Sequence, residues 1–133
     1  MNLFVDTSAY YSLLDHKDKN HRNAKRIWDR LMDNDDVLIT NNYVLIETTA
    51  LVQNRLGMGA CIDFQDIFVP LTEIYWIEQE IHQASVAALR TANRRKLSLV
   101  DCVSFEVCRR YGIDDIFAFD HHFEEQGFTL LTA

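Results

Sequence analysis

Leu3-Phe4-Val5 is a short, unbroken apolar run, and Asp6 follows it directly. Such a run suits a strand buried on both faces, as strands of a parallel sheet are. Thr7 or Ser8 then caps a helical pattern that ends near Leu14. The same unit returns late in the chain, where Ile116-Phe117-Ala118-Phe119 predicts a buried strand that Asp120 ends. Val37–Thr40 predicts another strand, Leu71–Ile77 contains a third, and Phe128–Leu131 a last one. Helical patterns separate most of them. This alternation points to a three-layer α/β/α sandwich with a mostly parallel central sheet. Crossovers in such a sheet bring the carboxyl ends of the strands to one edge, where ligands bind.

The helices follow from spacing. Residues 21–32 carry Ala24, Ile27, Trp28 and Leu31 at helical intervals, with Arg22, Lys25, Arg26 and Asp29 opposite. That opposite face reads first as solvated, with an RNA-facing surface as the alternative. A third helix begins at Asn41 or Asn42 and runs to Arg55, with a stripe of Val44, Leu45, Thr48, Leu51 and Val52. Gly57-Met58-Gly59 breaks it. Residues 60–68 predict a short helix that Pro70 ends. Residues 78–93 predict a long one with Ile81, Ser85, Ala88 and Leu89 inward. Ser98 and Asp101 have capping-box spacing at the start of the next, which Gly112 stops.

The 133 residues fit one domain, 1–133, and one Pro with four Gly argues against linkers or repeats. No apolar run approaches the ~20 residues of a membrane span, and the first residues lack the pattern of a signal peptide. Cys61, Cys102 and Cys108 have no CxxC spacing and read as reduced core thiols of a cytoplasmic protein. A net charge of −7 argues against broad nucleic-acid binding. Yet several acids fall at interior positions, and several bases are clustered.

Four acids carry the functional reading. Asp6 and Asp120 end strands. Glu47 and Asp101 lie in early turns of helices entered from the same sheet edge. Each has a simpler role open to it. Asp6 and Asp101 can be caps, and Glu47 can lie at the rim of its apolar stripe. Together they occupy corresponding topological positions over one cleft. Four carboxylates there cannot all stay ionised without a cation. Hard oxygen ligands select Mg²⁺ or Mn²⁺, and the reaction such a site serves is phosphodiester hydrolysis. Two ions, if bound, would stand ~3.5–4 Å apart. Arg94, Arg95 and Lys96 either offset a helix dipole or grip phosphate, and Arg109 and Arg110 are further candidates for that grip. His121-His122 invites a metal reading, but neighbouring helical residues point in different directions, so the pair is read as surface or cap residues.

The segments VDTSAYYSLLD, TNNYVLIETTALVQNRLG, LSLVDCVSFEVCRRYGI and FAFDHHF resemble the successive acidic motifs of PIN-domain ribonucleases. They are most similar to the VapC-type toxins of bacterial toxin–antitoxin systems. The resemblance covers nearly the whole chain and implies metal-site roles for Asp6, Glu47, Asp101 and Asp120. Asp6 and Asp101 would be the central ligands, with Glu47 and Asp120 completing the site partly through water. Thr7 or Ser8 would orient Asp6 or a phosphate. The resemblance also implies an RNA substrate, a homodimer and inhibition by a small antitoxin. Two positions depart from the pattern. Ala118 stands where many relatives have Thr or Ser, and His122 where some have a further acid. The expected site is therefore a four-acid one.

Three other readings remain open at this point. An aspartyl-phosphate phosphatase would want an acid two residues after Asp6, where Ser8 stands. A receiver-like signalling domain would want an acidic pair near the first strand and a Lys after the last, and neither is present. A PIN-like RNA-binding protein without catalysis, or a housekeeping RNA-processing enzyme, fits the same four acids.

Overall fold

The computed structural model describes all 133 residues. Five strands form one sheet in the order β3-β2-β1-β4-β5, and every neighbouring pair is parallel. The strands are β1 (Asn2–Val5), β2 (Val37–Asn41), β3 (Thr72–Tyr75), β4 (Asp115–Phe117) and β5 (Thr129–Leu130). The helices are α1 (Thr7–Leu14), α2 (His21–Asp33), α3 (Asn42–Leu56), α4 (Met58–Asp63), α5 (Gln79–Ala92), α6 (Leu99–Tyr111) and α7 (His122–Glu125). This is the expected α/β/α sandwich. Parallel strands need crossovers, and the helices that make them cover the sheet.

β1 lies at the centre. Leu3, Phe4 and Val5 are fully buried, as an apolar run covered on both faces requires. Phe4 pairs in register with Ile39 on one side and Ile116 on the other. The core continues through Tyr10, Ile27, Leu31, Phe64, Phe105 and Phe123. Ala24, Ile27 and Leu31 of α2 face inward as their spacing predicts, and Trp28 packs on Phe68 with ring centres 5.0 Å apart. Cys61, Cys102 and Cys108 are free and buried. Burial pushes the Cys108 thiol up to about 12, so it is inert at neutral pH.

Several boundaries differ from the expectation. β4 ends at Phe117 instead of Phe119, because the Phe119 N–H leaves the ladder and donates to Ser8 Oγ at 2.9 Å. Only Gly57 breaks the chain after α3, at φ +92°. Met58 and Gly59 already belong to α4. The predicted helix over 60–68 is instead α4 followed by a wide π turn over Phe64–Phe68 and a 3₁₀ turn over Val69–Leu71 that takes up Pro70. On α5 only Ser85 is buried, and Ala88 is exposed instead of inward. Asn93 closes α5 in a left-handed conformation, so Arg94, Arg95 and Lys96 lie in the loop beyond it rather than in its last turn. No helix is long and apolar enough to cross a membrane.

Candidate active site

All five strands point the same way, so the chain leaves β1, β2 and β4 at one edge. Asp6 is the first residue beyond β1. It caps α1: Ser8 N and Ser8 Oγ both donate to Asp6 Oδ2, at 3.2 and 2.8 Å. Ser8 Oγ also accepts from Phe119 N, so one hydroxyl ties the end of β1 to the end of β4. Asp101 is the third residue of α6 and closes a capping box, its Oδ2 accepting from Ser98 N at 3.1 Å while its own N–H donates to Ser98 Oγ. Asp120 follows β4, and its Oδ1 accepts from His122 N at 2.9 Å. In each of these three carboxylates one oxygen takes the local hydrogen bonds. The other oxygen accepts none and is not sealed away from solvent. The cap readings and the cleft reading are therefore compatible, because a carboxylate has two oxygens.

Glu47 comes from the second turn of α3 and is half-buried, between the two alternatives its spacing allowed. Desolvation raises its pKa, and the charges of Asp101 and Asp120 push the same way. The neighbouring Thr7 hydroxyl opposes them. Thr7 itself accepts from Thr48 Oγ1 at 2.9 Å, which leaves its own proton free. Asp6 is 4% exposed, and its carboxyl is pushed from the ordinary 3.8 up to about 7. Burial is the main cause, with Asp101 and Glu47 adding repulsion and the Ser8 bonds opposing. Asp6 and Glu47 therefore both sense Asp101, Asp6 senses Glu47, and Asp120 joins the group through Glu47, as carboxylates gathered without a counter-charge do.

His122 corrects the expectation for the histidine pair. His121 is indeed a surface residue, its side chain 89% exposed. His122 instead turns inward. Its backbone bond to Asp120 folds it back over that carboxylate. Its Nδ1 lies 3.2 Å from Asp120 Oδ1 and 3.3 Å from Asp101 Oδ2. Donor atoms of Asp101, Asp120 and His122 all fall within 4.8 Å of one another, a spacing suited to one metal ion. Helical spacing over 121–122 does not show this, since His122 is the first residue of α7 and is aimed by the bond from its N–H to Asp120. The position two residues after Asp120 was the one available signal.

The basic residues are placed less centrally. Arg94 pairs with Glu125 at 2.7 Å, and Arg95 and Lys96 are exposed without partners, just before the Ser98 cap. Arg109 lies over the rings of Phe105 and Phe128 and donates to Gln126. Arg110 pairs with Glu80 and Glu106. Both stand at the end of α6 opposite Asp101, roughly 12 Å along the helix, so they are not part of the cleft.

A parallel α/β/α domain with an acidic cleft at the strand ends is the class of protein this geometry defines. The family model of the PIN domain matches residues 3–128, and the chain belongs to that family. Among curated proteins, the 23S rRNA-specific endonuclease VapC20 of Mycobacterium tuberculosis is 32% identical over 127 residues, 95% of each chain. The crystal structure of that VapC20, described as a sarcin-ricin loop cleaving toxin, superposes with a TM-score of 0.89 at 30% identity. The match covers 98% of this chain and 99% of that one. VapBC2 of Rickettsia felis, bound to a DNA fragment from its promoter, superposes at 0.70 with 12% identity, covering 98% of both chains. FitAcB of Neisseria gonorrhoeae superposes at 0.67 with 13% identity, over 97% of this chain and 96% of that one. These last two show the shared fold.

Proposed function

We propose that this chain is a divalent-metal-dependent endoribonuclease acting as the toxin of a toxin–antitoxin pair. Asp6, Glu47, Asp101 and Asp120 hold Mg²⁺ or Mn²⁺, with His122 against the same position. One observation carries the reading: Asp6, Asp101 and Asp120 each use one carboxylate oxygen in a local bond and keep the other free, and donor atoms of Asp101, Asp120 and His122 lie within 4.8 Å of one another. Hard oxygen donors with a single imidazole fit such an ion. When bound, a divalent ion supplies charge stabilisation to a phosphodiester in transfer and activates water.

The chain's own residues do the positioning. Ser8 fixes Asp6 and the end of β4 relative to each other. The capping box fixes Asp101. Thr7 supports Glu47. Arg95 and Lys96, beside the entry to α6, bind phosphate, and Arg94 does so once released from Glu125. The relation to VapC20 supports ribosomal RNA as the substrate class and an antitoxin as partner. Exposed Ile46, Met58, Ile62 and Ile67 on and around α3 and α4 supply apolar surface for an antitoxin or a second copy of the chain.

The test is Asp101→Asn, which keeps an oxygen for the Ser98 N–H and so keeps the fold. Wild type and variant are incubated with a mixed RNA pool in Mg²⁺, Mn²⁺ or EDTA. Metal-dependent cleavage by wild type and a loss of at least about 100-fold in the variant are expected. Equal cleavage by the variant overturns the assignment.

A further inference from the structure

Six of the 13 Lys and Arg residues, but only two of the 20 acids, fall within residues 17–30. That segment is net +4 inside a chain of net −7. It comprises the α1–α2 connection and most of α2. Lys17, Lys19, Arg22, Lys25, Arg26 and Arg30 are all exposed. Lys25 pairs with Asp29 on the helix surface, and Arg30 Nη1 donates to the Thr132 carbonyl. Lys17, Lys19, Arg22 and Arg26 have no carboxylate partner. Elsewhere Arg94 and Arg110 are tied to glutamates and Arg109 to aromatic rings, which leaves Arg90, Arg95 and Lys96 as scattered bare bases.

The geometry adds to the charge. Arg22 and Arg26 are one turn apart on α2, with a rise of ~6 Å between them. They stand opposite the buried Ala24, Ile27 and Leu31. The first turn of α2 holds no acid and the Asn20 side chain caps no N–H; the one carboxylate at this end is Asp18, which accepts from Asn20 N at 2.9 Å and from Ser12 Oγ. The patch also borders the segment that joins β4 to Asp120. A cavity of about 440 Å³ has Lys19, Asn20 and Asn23 on one wall and Ala118, Phe119 and His121 on another, with Glu124 as its one acidic side chain. That second wall is the segment whose Phe119 N–H is bound to Ser8, and through Ser8 to Asp6.

We propose that the α1–α2 connection and the outward face of α2 form a track for the phosphate backbone of the RNA, leading over the Lys19–Phe119 cavity to the acidic cleft. The inference deepens the nuclease reading and rests on it for RNA being the substrate. Its physical need is plain. A chain of net −7 with four acids in its cleft repels a polyanion, so attraction must be concentrated beside the cleft. A polyphosphate fits better than a protein here. Protein interfaces are poor in Lys, whereas three of the six bases here are Lys, and the exposed residues between the bases are polar or charged. Of the exposed large apolar side chains only Met32, beyond the basic stretch, lies on α2; Ile46, Met58, Ile62 and Ile67 lie on and around α3 and α4, and Trp76 and Tyr111 elsewhere.

The experiment measures binding of a fluorescent RNA hairpin in EDTA across a salt series, so that no cleavage intervenes. In the first variant Lys17, Lys19, Arg22 and Arg26 are all replaced by Gln. It binds at least about tenfold more weakly near 0.1 M salt, and the slope of log K against log salt flattens by roughly 3. A charge-conserving variant, with Lys→Arg and Arg→Lys at the same four positions, keeps both values and shows that charge is what matters. Arg90→Gln on α5 is the surface control and changes neither by a comparable amount. Wild-type affinity and slope in the Gln variant overturn the track and turn attention to an acidic protein partner. Equal loss in the Gln and charge-conserving variants overturns it too. Cleavage of the RNA pool by wild type in Mn²⁺ is read separately. RNA bound through the patch but never cut sinks the nuclease reading alone. RNA cut normally with a patch-independent salt slope sinks the track alone.

Discussion

His122 Nδ1 lies 3.3 Å from Asp101 Oδ2, so an imidazole from the last short helix rests on the carboxylate that caps α6. An imidazole at this point narrows the choice of ion. Mg²⁺ favours oxygen ligands, whereas Mn²⁺ accepts nitrogen more readily. The wild type is expected to bind Mn²⁺ more tightly than Mg²⁺. His122→Asp should strengthen Mg²⁺ binding by about tenfold, the scale on which groups around a metal site act. Titration calorimetry with each ion checks this, and an unchanged Mg²⁺/Mn²⁺ ratio would remove His122 from the site.

Asp6 makes stability depend on pH. Its carboxyl titrates at about 7 in the folded chain against 3.8 ordinarily. Between those values the folded state holds a proton that the unfolded state has released. The resulting stabilisation is fully present below about pH 4 and is lost as pH rises through 7. Its upper limit is about 4 kcal/mol. Glu47 is shifted in the same direction and acts with the same sign. Urea denaturation in EDTA from pH 4 to 8 should show stability falling. Asp6→Asn should flatten the fall, because both Ser8 bonds go to a single oxygen that Asn retains. Saturating Mn²⁺ should restore wild-type stability at pH 8.

Ser8→Ala should harm both fold and site. The substitution leaves the Phe119 N–H without its acceptor and removes one donor from Asp6. A cost of about 1–3 kcal/mol is expected. RNA cleavage should fall more than metal affinity does, because the β1 and β4 ends lose their common tie. Denaturation midpoints and single-turnover cleavage separate the two effects. Cleavage unaltered at full metal saturation would show that Ser8 is only structural.

Phe123 follows His122 directly and anchors it. It is fully buried among Phe4, Phe105 and Phe128, with ring centres 5.1–6.1 Å away. Phe123→Ala should cost about 3–5 kcal/mol. It should also weaken ion binding, since α7 then no longer presses His122 onto the two carboxylates. Melting temperature and Mn²⁺ titration on the same sample test both parts.

The architecture and the place of the acids can be read from local pattern. Leu3–Val5, Val37–Ile39 and Ile116–Phe117 are apolar without alternation, and only a strand covered on both faces satisfies that pattern. Asp6 directly follows the first of these runs and Asp120 comes three residues after the last, so topology alone puts them at one edge. The stripe of α2 and the capping box of α6 were equally legible, because helix period and cap chemistry are local. Tertiary structure decided what local rules cannot reach. The hydroxyl of Ser8 takes an N–H from 111 residues away and so ends β4 two residues early. His122 is aimed by a turn, not by helix period, and its partner Asp101 is 21 residues back. Arg94, Arg109 and Arg110 look like free cations in the chain and are engaged in the fold, while the four bare bases of residues 17–26 are not. Whether a charge is neutralised depends on what packs beside it, and spacing along the chain carries no record of that.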